Sequence, residues 1–380
     1  MDARTVEISQ SDLTLEEVLS VAEGAPVKLT EATFELIGRS RDVVDKAVER
    51  GDAIYGVTTG VGHARDQRLP HEALAAMQPF LVEMHLGALG EPLPVRLVRA
   101  GMVARLNGFA RGGAGVSMDV VRTLETMLNR GVHPIVPRFG SVGAGDLGQL
   151  ALLGRAMLGR GEVDFRGKVV PAVDALDQAG ITPVTLQPKD ALGIISSNAI
   201  TIGHGISTWQ DLSRLLDLAD LVAAISMEAF GANPSFIDPA VSGVRHSPGQ
   251  AETAHNLRDA LAASARIDPA TASVQDPISF RVVPQVHGAA RDMLSRLATD
   301  LVRELNASAD NPMVDVDSER VLSNGNFHVM NVALAAESTK LALAHVGMLA
   351  ERRCGQLWDT VVSSMGEIGG GDPSHGPPSG

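Results

Sequence analysis

Helical periodicity in the last third of the chain limits the possible folds more than any other pattern. Met293, Leu297, Leu301 and Leu305 recur every four residues, and arginines stand between them. This spacing places apolar side chains on one face of a helix. A second long, alanine-rich segment runs from Val329 to Arg353. Helices of this length bury their apolar faces against one another, so the sequence predicts a mainly α fold built as a long antiparallel helix bundle.

Shorter signals support the same fold class nearer the N-terminus. Thr14 and Glu17 have the spacing of a capping box at the start of a helix. Ile37 and Val44 fall on one face of a second helix. The β-branched run at 168–171 predicts a small hairpin, as an addition to the helices.

Composition narrows the functional classes. The formal net charge of -13 has the wrong sign for a protein that neutralises phosphates, so no nucleic-acid partner is predicted and a small-molecule substrate is favoured. The single cysteine, Cys354, cannot form an internal disulfide, which together with the absence of a signal-peptide pattern predicts a cytoplasmic protein. The apolar stretch 215–227 contains Asp217 and Asp220, so it predicts a helix buried in a bundle and no membrane contact.

No linker divides most of the chain. One helical domain is predicted over 1–365, with an N-terminal region of loops and helices over 1–185 and a central bundle of long helices over 186–365. The glycine- and proline-rich segment 366–380 has the composition of a flexible tail.

A glycine-rich loop and several other motifs carry a resemblance that spans nearly the whole chain. The loop reads Gly140-Ser141-Val142-Gly143-Ala144-Gly145-Asp146-Leu147. It resembles the signature of the histidine and phenylalanine ammonia-lyase family, in which an Ala-Ser-Gly triad cyclises to the electrophilic group methylidene-imidazolone. The resemblance implies the helical fold of that family, in a form shortened at the C-terminus, because members continue beyond the match at Arg353.

The serine of that triad is missing here. Ala144 is followed directly by Gly145 and Asp146, and Gly145 has no β-carbon from which the methylidene could form. The sequence therefore predicts a degenerate loop and no cofactor. A metal site is not predicted either, because no His-Glu-x-x-His spacing occurs.

Two residues are candidates for acid–base catalysis. Tyr55, the only tyrosine, lies in a stretch that looks like the mobile tyrosine loop of the family, where this residue acts as general base. His85 stands where the family places a substrate-facing imidazole, although Phe80 and Met84 replace polar residues around it. The alternatives are a tyrosine that caps a turn and a packed histidine.

The remaining candidates belong to the predicted substrate pocket. Arg281 matches the position that binds the substrate carboxylate, for which a planar guanidinium is well suited. The alternative role for Arg281 is structural pairing with an acid. Phe327 matches a pocket position of the family, and its alternative role is packing in the core. Ile278 occupies the position of a catalytic tyrosine in the family. The resemblance also implies substrate contacts from Gln275, Ser196 and Asn311.

Two functions remain open at this point. The first is a lyase, isomerase or cyclase that works by acid–base chemistry without methylidene-imidazolone on a carboxylate-bearing small molecule more apolar than histidine, and is therefore not an ordinary aromatic amino acid ammonia-lyase. The second is a non-catalytic paralogue that assembles with or regulates another lyase subunit. A third hypothesis, an ordinary lyase that has lost a codon or its end, conflicts with Ser196 and Ile278. Exposed apolar helix faces predict a homotetramer or a hetero-oligomer with another lyase-like subunit.

Overall fold

The computed structural model describes residues 4–268 and 273–368, so the predicted tail lies outside the described residues from 369 onward. The fold is mainly α, as the periodicity predicts. The helices are α1 Leu15–Ala22, α2 Glu31–Glu49, α3 Leu74–Met84, α4 Val95–Ala110, α5 Met118–Arg130, α6 Leu147–Met157, α7 Ala172–Ala179, α8 Asp190–Ile195, α9 Ala199–Phe230, α10 Pro239–Gly243, α11 Pro248–Leu261, α12 Ile278–Arg281, α13 Val283–Leu305 and α14 Met330–Ile368.

The strands are short and form small sheets. The pair β6–β7 is an antiparallel hairpin, which confirms the prediction for 168–171, and β4 extends it to three strands. The first two strands pair in parallel, and two further antiparallel pairs are β3 with β5 and β8 with β9. The strands are β1 Val6–Ile8, β2 Val27–Leu29, β3 Leu89–Pro92, β4 Val132–Pro134, β5 Pro137–Phe139, β6 Glu162–Phe165, β7 Lys168–Pro171, β8 Met313–Asp315 and β9 Arg320–Leu322.

The chain divides into two compact units. The first contains Met1–Thr208 and Ala298–Val332, and the second contains Trp209–Leu297 and Ala333–Gly380. The long helices α9, α13 and α14 each contribute to both units.

The first unit is built around α4, which is buried on nearly all sides. Its sequence alternates apolar residues with small ones, so that neighbouring elements approach closely. A β-carbon on Gly203 of α9 would lie 2.5 Å from the backbone of Ala100, which explains why glycine is needed at that crossing. The capping box of α1 is also present, since Thr14 and Glu17 each accept from the other's backbone N–H, which confirms that prediction.

The second unit has its own apolar core. Met227, Leu257, Phe280 and Val283 are among its buried members. The rings of Phe230 and Phe280 stack with their centroids 4.5 Å apart. The core therefore joins α9, α11, α12, α13 and α14 through apolar side chains, as expected for helices with apolar faces.

The prediction that the stretch 215–227 is buried is wrong for much of its surface. Leu215, Leu218, Leu221 and Ile225 are each 49–59% exposed. Only one face of α9 packs into the unit, where Ala223, Ala224 and Met227 are buried, because helix periodicity turns the other apolar residues outward.

Candidate active site

The tyrosine loop is held by its own backbone and hydroxyl groups. The hydroxyl of Thr58 accepts from the N–H of Ile54 at 2.8 Å and donates to the carbonyl of Asp52. The hydroxyl oxygen of Tyr55 accepts from the N–H of Gly62 at 3.4 Å. The loop thus presents its tyrosine from an ordered turn.

Glycine is required within this turn at position 56. Gly56 has φ +63, and a β-carbon there would lie 2.3 Å from a methyl of Leu192. A larger residue would push the loop away from α8. The motif residue therefore explains how the turn packs closely beside a helix.

Tyr55 lines a cavity of about 520 Å³ within the first unit. Asn311 also lines this cavity, so two of the predicted site residues line the same cavity. Its other polar side chains include two arginines that the sequence analysis did not single out. The lining residues are Ala53, Tyr55, Thr59, Arg65, Asp66, Arg68, Asn311 and Ser323.

The side chains of the two arginines differ in the contacts that hold them. Arg68 donates to the carbonyl of Gly51 at 2.6 Å, which ties it to the loop. The side chain of Arg65 is 63% exposed and lies 3.6 Å from its neighbour Asp66. Both follow Tyr55 closely in the sequence, and this proximity is the signal that could have identified them.

Ser196 and Asn311 contact each other at the edge of this site. The Ser196 hydroxyl accepts from the N–H of Asn311 at 3.3 Å and lies 3.4 Å from its carbonyl oxygen. The amide oxygen of Asn311 accepts from the N–H of Asn324 at 3.0 Å. The end of α8 and the segment at 311 are therefore joined by hydrogen bonds.

The glycine-rich loop is anchored to the segment that follows α8. Gly145 donates its N–H to the side-chain oxygen of Asn198 at 3.1 Å, and Asp146 donates its N–H to the Ser197 carbonyl at 2.7 Å. Asn198 in turn donates to the carbonyl of Phe327 at 2.7 Å. Half-buried Ala144 precedes these contacts. Phe327 is itself only half-buried, and its described hydrogen bond uses its backbone.

Asp146 fixes the start of α9. Its carboxylate accepts from the N–H and the hydroxyl of Thr201, both at 2.7 Å, as a helix cap supplied from a distant segment. The side chain is fully buried. Burial raises the pKa of the Asp146 carboxyl, and the hydrogen bonds from Thr201 oppose that rise.

His85 does not line the cavity of Tyr55. It follows the last turn of α3, where its Nδ1 lies 2.6 Å from the carbonyl oxygen of Leu81. Phe80 and Met84 are 57% and 51% exposed, so the apolar replacements around it face outward within this chain. His85 and Tyr55 therefore do not line the same cavity among the described residues.

Gln275 and Arg281 lie in the second unit, whereas the other predicted site residues lie in the first. Gln275 is exposed, and Ile278 is 62% exposed at the start of α12. Arg281 ends α12 half-buried, and its Nε has no hydrogen-bond partner among the described residues. Over residues 4–268 and 273–368, no group of three acidic, histidine or cysteine side chains is placed to hold a metal ion.

Comparisons with known proteins agree over nearly the whole chain. A family model described as aromatic amino acid lyase matches residues 13–366. Histidine ammonia-lyase from Caldanaerobacter subterraneus subsp. tengcongensis is 38% identical over 357 residues, which is 93% of this chain and 70% of that protein. Histidine ammonia-lyase from Streptococcus pyogenes serotype M18 is 34% identical over 95% of this chain and 71% of its own length.

A solved structure shows the same fold. It is the ergothioneine-degrading enzyme ergothionase from Treponema denticola, with a TM-score of 0.89 and 27% identity. The alignment covers 92% of this chain and 71% of that one. The helical architecture predicted from the resemblance is therefore confirmed.

These similarities contradict the prediction that the chain is not an ordinary aromatic amino acid ammonia-lyase. Relatives with 34–38% identity over more than nine-tenths of the chain are histidine ammonia-lyases. The prediction gave the missing serine, Ser196 and Ile278 more weight than the similarity over the whole sequence. In this chain the loop is held in place, because Gly145 and Asp146 donate hydrogen bonds to Asn198 and Ser197.

Proposed function

Because the chain belongs to the aromatic amino acid lyase family, we propose that it is an ammonia-lyase acting on an amino acid with an imidazole or aromatic side chain. The observation that carries this proposal is the 38% identity to a histidine ammonia-lyase over 357 residues. The polar cavity that contains Tyr55 supplies a suitable place for the chemistry. Histidine is therefore the first substrate to test.

The reaction requires one proton transfer that Tyr55 is placed to perform. In the elimination, a base takes the proton from the β-carbon and the electron pair of that C–H bond forms the double bond to the α-carbon. The bond between the α-carbon and the ammonium nitrogen breaks, and ammonia leaves with its electron pair. Tyr55 is the titratable hydroxyl that lines the cavity. Its oxygen accepts from the N–H of Gly62 at 3.4 Å, a contact that orients the hydroxyl on the loop. We assign the proton-transfer role to Tyr55.

Two sets of arginines are available for the substrate carboxylate. Arg65 and Arg68 line the cavity, and the side chain of Arg65 is 63% exposed. Arg281, with Gln275 nearby in the sequence, is the position that the family resemblance favours. A guanidinium binds a carboxylate through two parallel hydrogen bonds, which fixes the orientation of the substrate. We retain Arg281 as the proposed carboxylate ligand on the strength of the resemblance. Ser196, Asn311 and Phe327 are proposed as pocket residues of the first unit.

The residues of the glycine-rich loop do not fit the prosthetic group of the family. In the sequence, Ala144 is bonded directly to Gly145, which has no β-carbon to become the methylidene. Gly145 also has φ +94, a conformation that suits glycine and strains other residues. The steps assigned above use side chains of this chain, and none of them passes through that group.

We also infer that the protein assembles through its long helices in the cytoplasm, as a homotetramer or with another lyase-like subunit. Leu334, Leu341 and Met348 recur every seven residues on α14 and are each 60–66% exposed. The segment Met330–Ser363 is long and apolar enough to cross a membrane by length and composition. However, the exposed ion pair of Lys340 with Glu337 on this helix suits a protein interface in water better.

The proposal is tested by measuring ammonia release from histidine, phenylalanine and tyrosine, together with the intact mass of the protein. We expect release from at least one of these amino acids. Absence of ammonia with all three would contradict the proposal. A mass short by two waters would show that the chain has been modified by dehydration, whereas the mass of the unmodified chain would show that it has not.

Tyr55→Phe should lower kcat/KM for ammonia release by at least about 10²-fold, because a positioned acid or base contributes that much. Helix content and the binding of trans-urocanate, the elimination product of histidine, should remain unchanged. Thr126→Val, which removes a half-buried hydroxyl of α5 outside the cavity of Tyr55, is the control. A Tyr55→Phe protein that releases ammonia at the original rate would rule out this role for Tyr55.

A further inference from the structure

One lysine is buried completely in the first unit without a hydrogen-bond partner. Lys189 is 0% exposed, and its Nζ has no partner among the described residues. Its backbone has φ +83, in the left-handed region that non-glycine residues rarely adopt. It immediately precedes α8. Both the burial and the backbone conformation are unfavourable, so the surrounding structure must impose them.

Charged groups from three helices and the loop before β8 surround this ammonium. Asp310 is the carboxylate that most favours its charged form, and Asp190 of α8 acts in the same direction. Arg105 of α4 and Arg41 of α2 oppose it. Burial has the largest effect and lowers the pKa of Lys189 to about 8. The amine therefore changes charge in a range where the protein can be studied.

Arg105 and Asp310 form the core of this group. Their guanidinium and carboxylate are 2.6 Å apart, and both side chains are at most 1% exposed. Arg105 also donates to the carbonyl of Gly193 in α8. The second oxygen of Asp310, Oδ2, has no partner among the described residues, so one acceptor remains for the charge of Lys189.

Lys189 and Asp310 each begin a short segment, and the far ends of these two segments meet at the candidate site. The first segment runs from Lys189 through α8 to Ser196, and the second runs from Asp310 to Asn311. Ser196 and Asn311 contact each other, and Asn311 lines the cavity of Tyr55. Asn324 strengthens the second segment by donating to the carbonyl of Asp310 at 2.9 Å.

We propose that Lys189 is a positioning residue for the cavity of Tyr55, acting through Asp310 to hold Asn311 in place against Ser196. The attraction between ammonium and carboxylate keeps the two segments in register. The inference rests on the proposed function only in that the cavity must bind the substrate. It does not require that ammonia is released.

The test follows the affinity for trans-urocanate by calorimetry between pH 7 and pH 9, where neither the carboxylate nor the imidazole of this probe titrates. Deprotonation of Lys189 removes the attraction to Asp310, so the affinity of the unmodified protein should fall as the pH rises. The stability of the fold should rise over the same range, because a neutral amine is easier to bury. A purely structural role would not move affinity and stability in opposite directions.

Lys189→Met should bind trans-urocanate about tenfold more weakly at pH 7, the size of a typical coupling between interacting residues. Its affinity should no longer depend on pH. Lys46→Met is the matched control, because Lys46 is an exposed lysine paired with Glu319 in the same unit. If Lys189→Met does not fold, the pH series on the unmodified protein still decides.

An affinity that stays constant or rises with pH in the unmodified protein would overturn the proposal. So would a Lys189→Met protein with unchanged affinity and pH dependence, or failure of the unmodified protein to bind trans-urocanate. A protein that binds trans-urocanate with the expected pH dependence but releases no ammonia would contradict the proposed function alone.

Discussion

The two units each contain a buried cluster of charges, and the clusters differ in how completely their carboxylates are paired. In the second unit, both oxygens of Asp220 are used, since they accept from His287, Arg291 and Asn256 at 2.7–2.9 Å, while Nε2 of His287 has no partner among the described residues. In the first unit, Lys189 has no hydrogen-bond partner and Asp310 leaves one oxygen unpaired among the described residues. A carboxylate with both oxygens paired in one cluster thus contrasts with an ammonium without a hydrogen bond in the other.

The difference in pairing favours a stabilising role for the Asp220 cluster and a positioning role for the Lys189 cluster. A buried ion pair that satisfies its hydrogen bonds is strongly destabilising to break, because the remaining charge is left in a poor environment. A buried charge without full pairing costs stability wherever it stands. The Asp220 cluster joins α9, α11 and α13, whereas the Lys189 cluster lies beside the candidate site. The position of the Lys189 cluster beside the candidate site therefore favours a functional role for it.

The pKa directions express the same contrast. Burial alone would raise the pKa of Asp220, but hydrogen bonds from His287, Asn256 and Arg291 outweigh it and the pKa is lowered. A lowered carboxyl pKa contributes stability at neutral pH, which is lost as the pH falls through the folded value. Burial lowers the pKa of Lys189, so its contribution improves as the pH rises. The two clusters thus respond at opposite ends of the pH range.

The largest effect should come from breaking the paired cluster. Asp220→Ala leaves Arg291 and His287 without their shared carboxylate, so the free energy of unfolding should fall by about 3–5 kcal/mol. Urea unfolding followed by circular dichroism measures the change. The control is Asp217→Ala, which removes an exposed partner of the same arginine. Equal losses in the two variants would show that the buried carboxylate has no special role.

The helices of both clusters could be predicted from sequence, but the clusters themselves could not. Leu297, Leu301 and Leu305 are buried on α13, as their spacing indicates. Lys189 and Asp310, however, are 121 residues apart in sequence. Neither lies in a local pattern that identifies the other, because periodicity reports which face is apolar and carries no information on which distant charge meets it.

The second largest effect should appear at alkaline pH. An ordinary lysine titrates near 10.5 and Lys189 near 8, so the free energy of unfolding should rise by about 3 kcal/mol across that interval. Lys189→Met should lack this rise, because it has no amine to deprotonate. Urea unfolding of both proteins at several pH values isolates the contribution, since other groups titrate equally in each. Parallel curves for the two proteins would contradict the assigned environment.

The candidate site shows a similar division between local and distant information. The motif around Tyr55 predicted the loop, and the structure places this residue with Asn311 in one cavity. The two arginines of the cavity were missed, because Arg65 and Arg68 follow the motif without being part of it. The loop at 140–147 misled the functional prediction, because its missing serine is a local signal, whereas the contacts to Asn198 and Ser197 that hold the loop come from a distant segment.

The smallest effect should come from the rim of the paired cluster. Glu252 is 57% exposed and lies 2.8 Å from Arg291, which is 8% exposed. Glu252→Gln should lower the free energy of unfolding by about 0–1 kcal/mol. Water screens the attraction between an exposed carboxylate and its partner, and it can hydrogen-bond to the guanidinium in place of the carboxylate. The cost should shrink further near 1 M salt, where the Debye length is about 3 Å. A loss of unfolding free energy as large as that of Asp220→Ala would mean that Arg291 depends on its exposed partners. The contrast between complete and incomplete pairing of the buried carboxylates would then not explain the stability of the second unit.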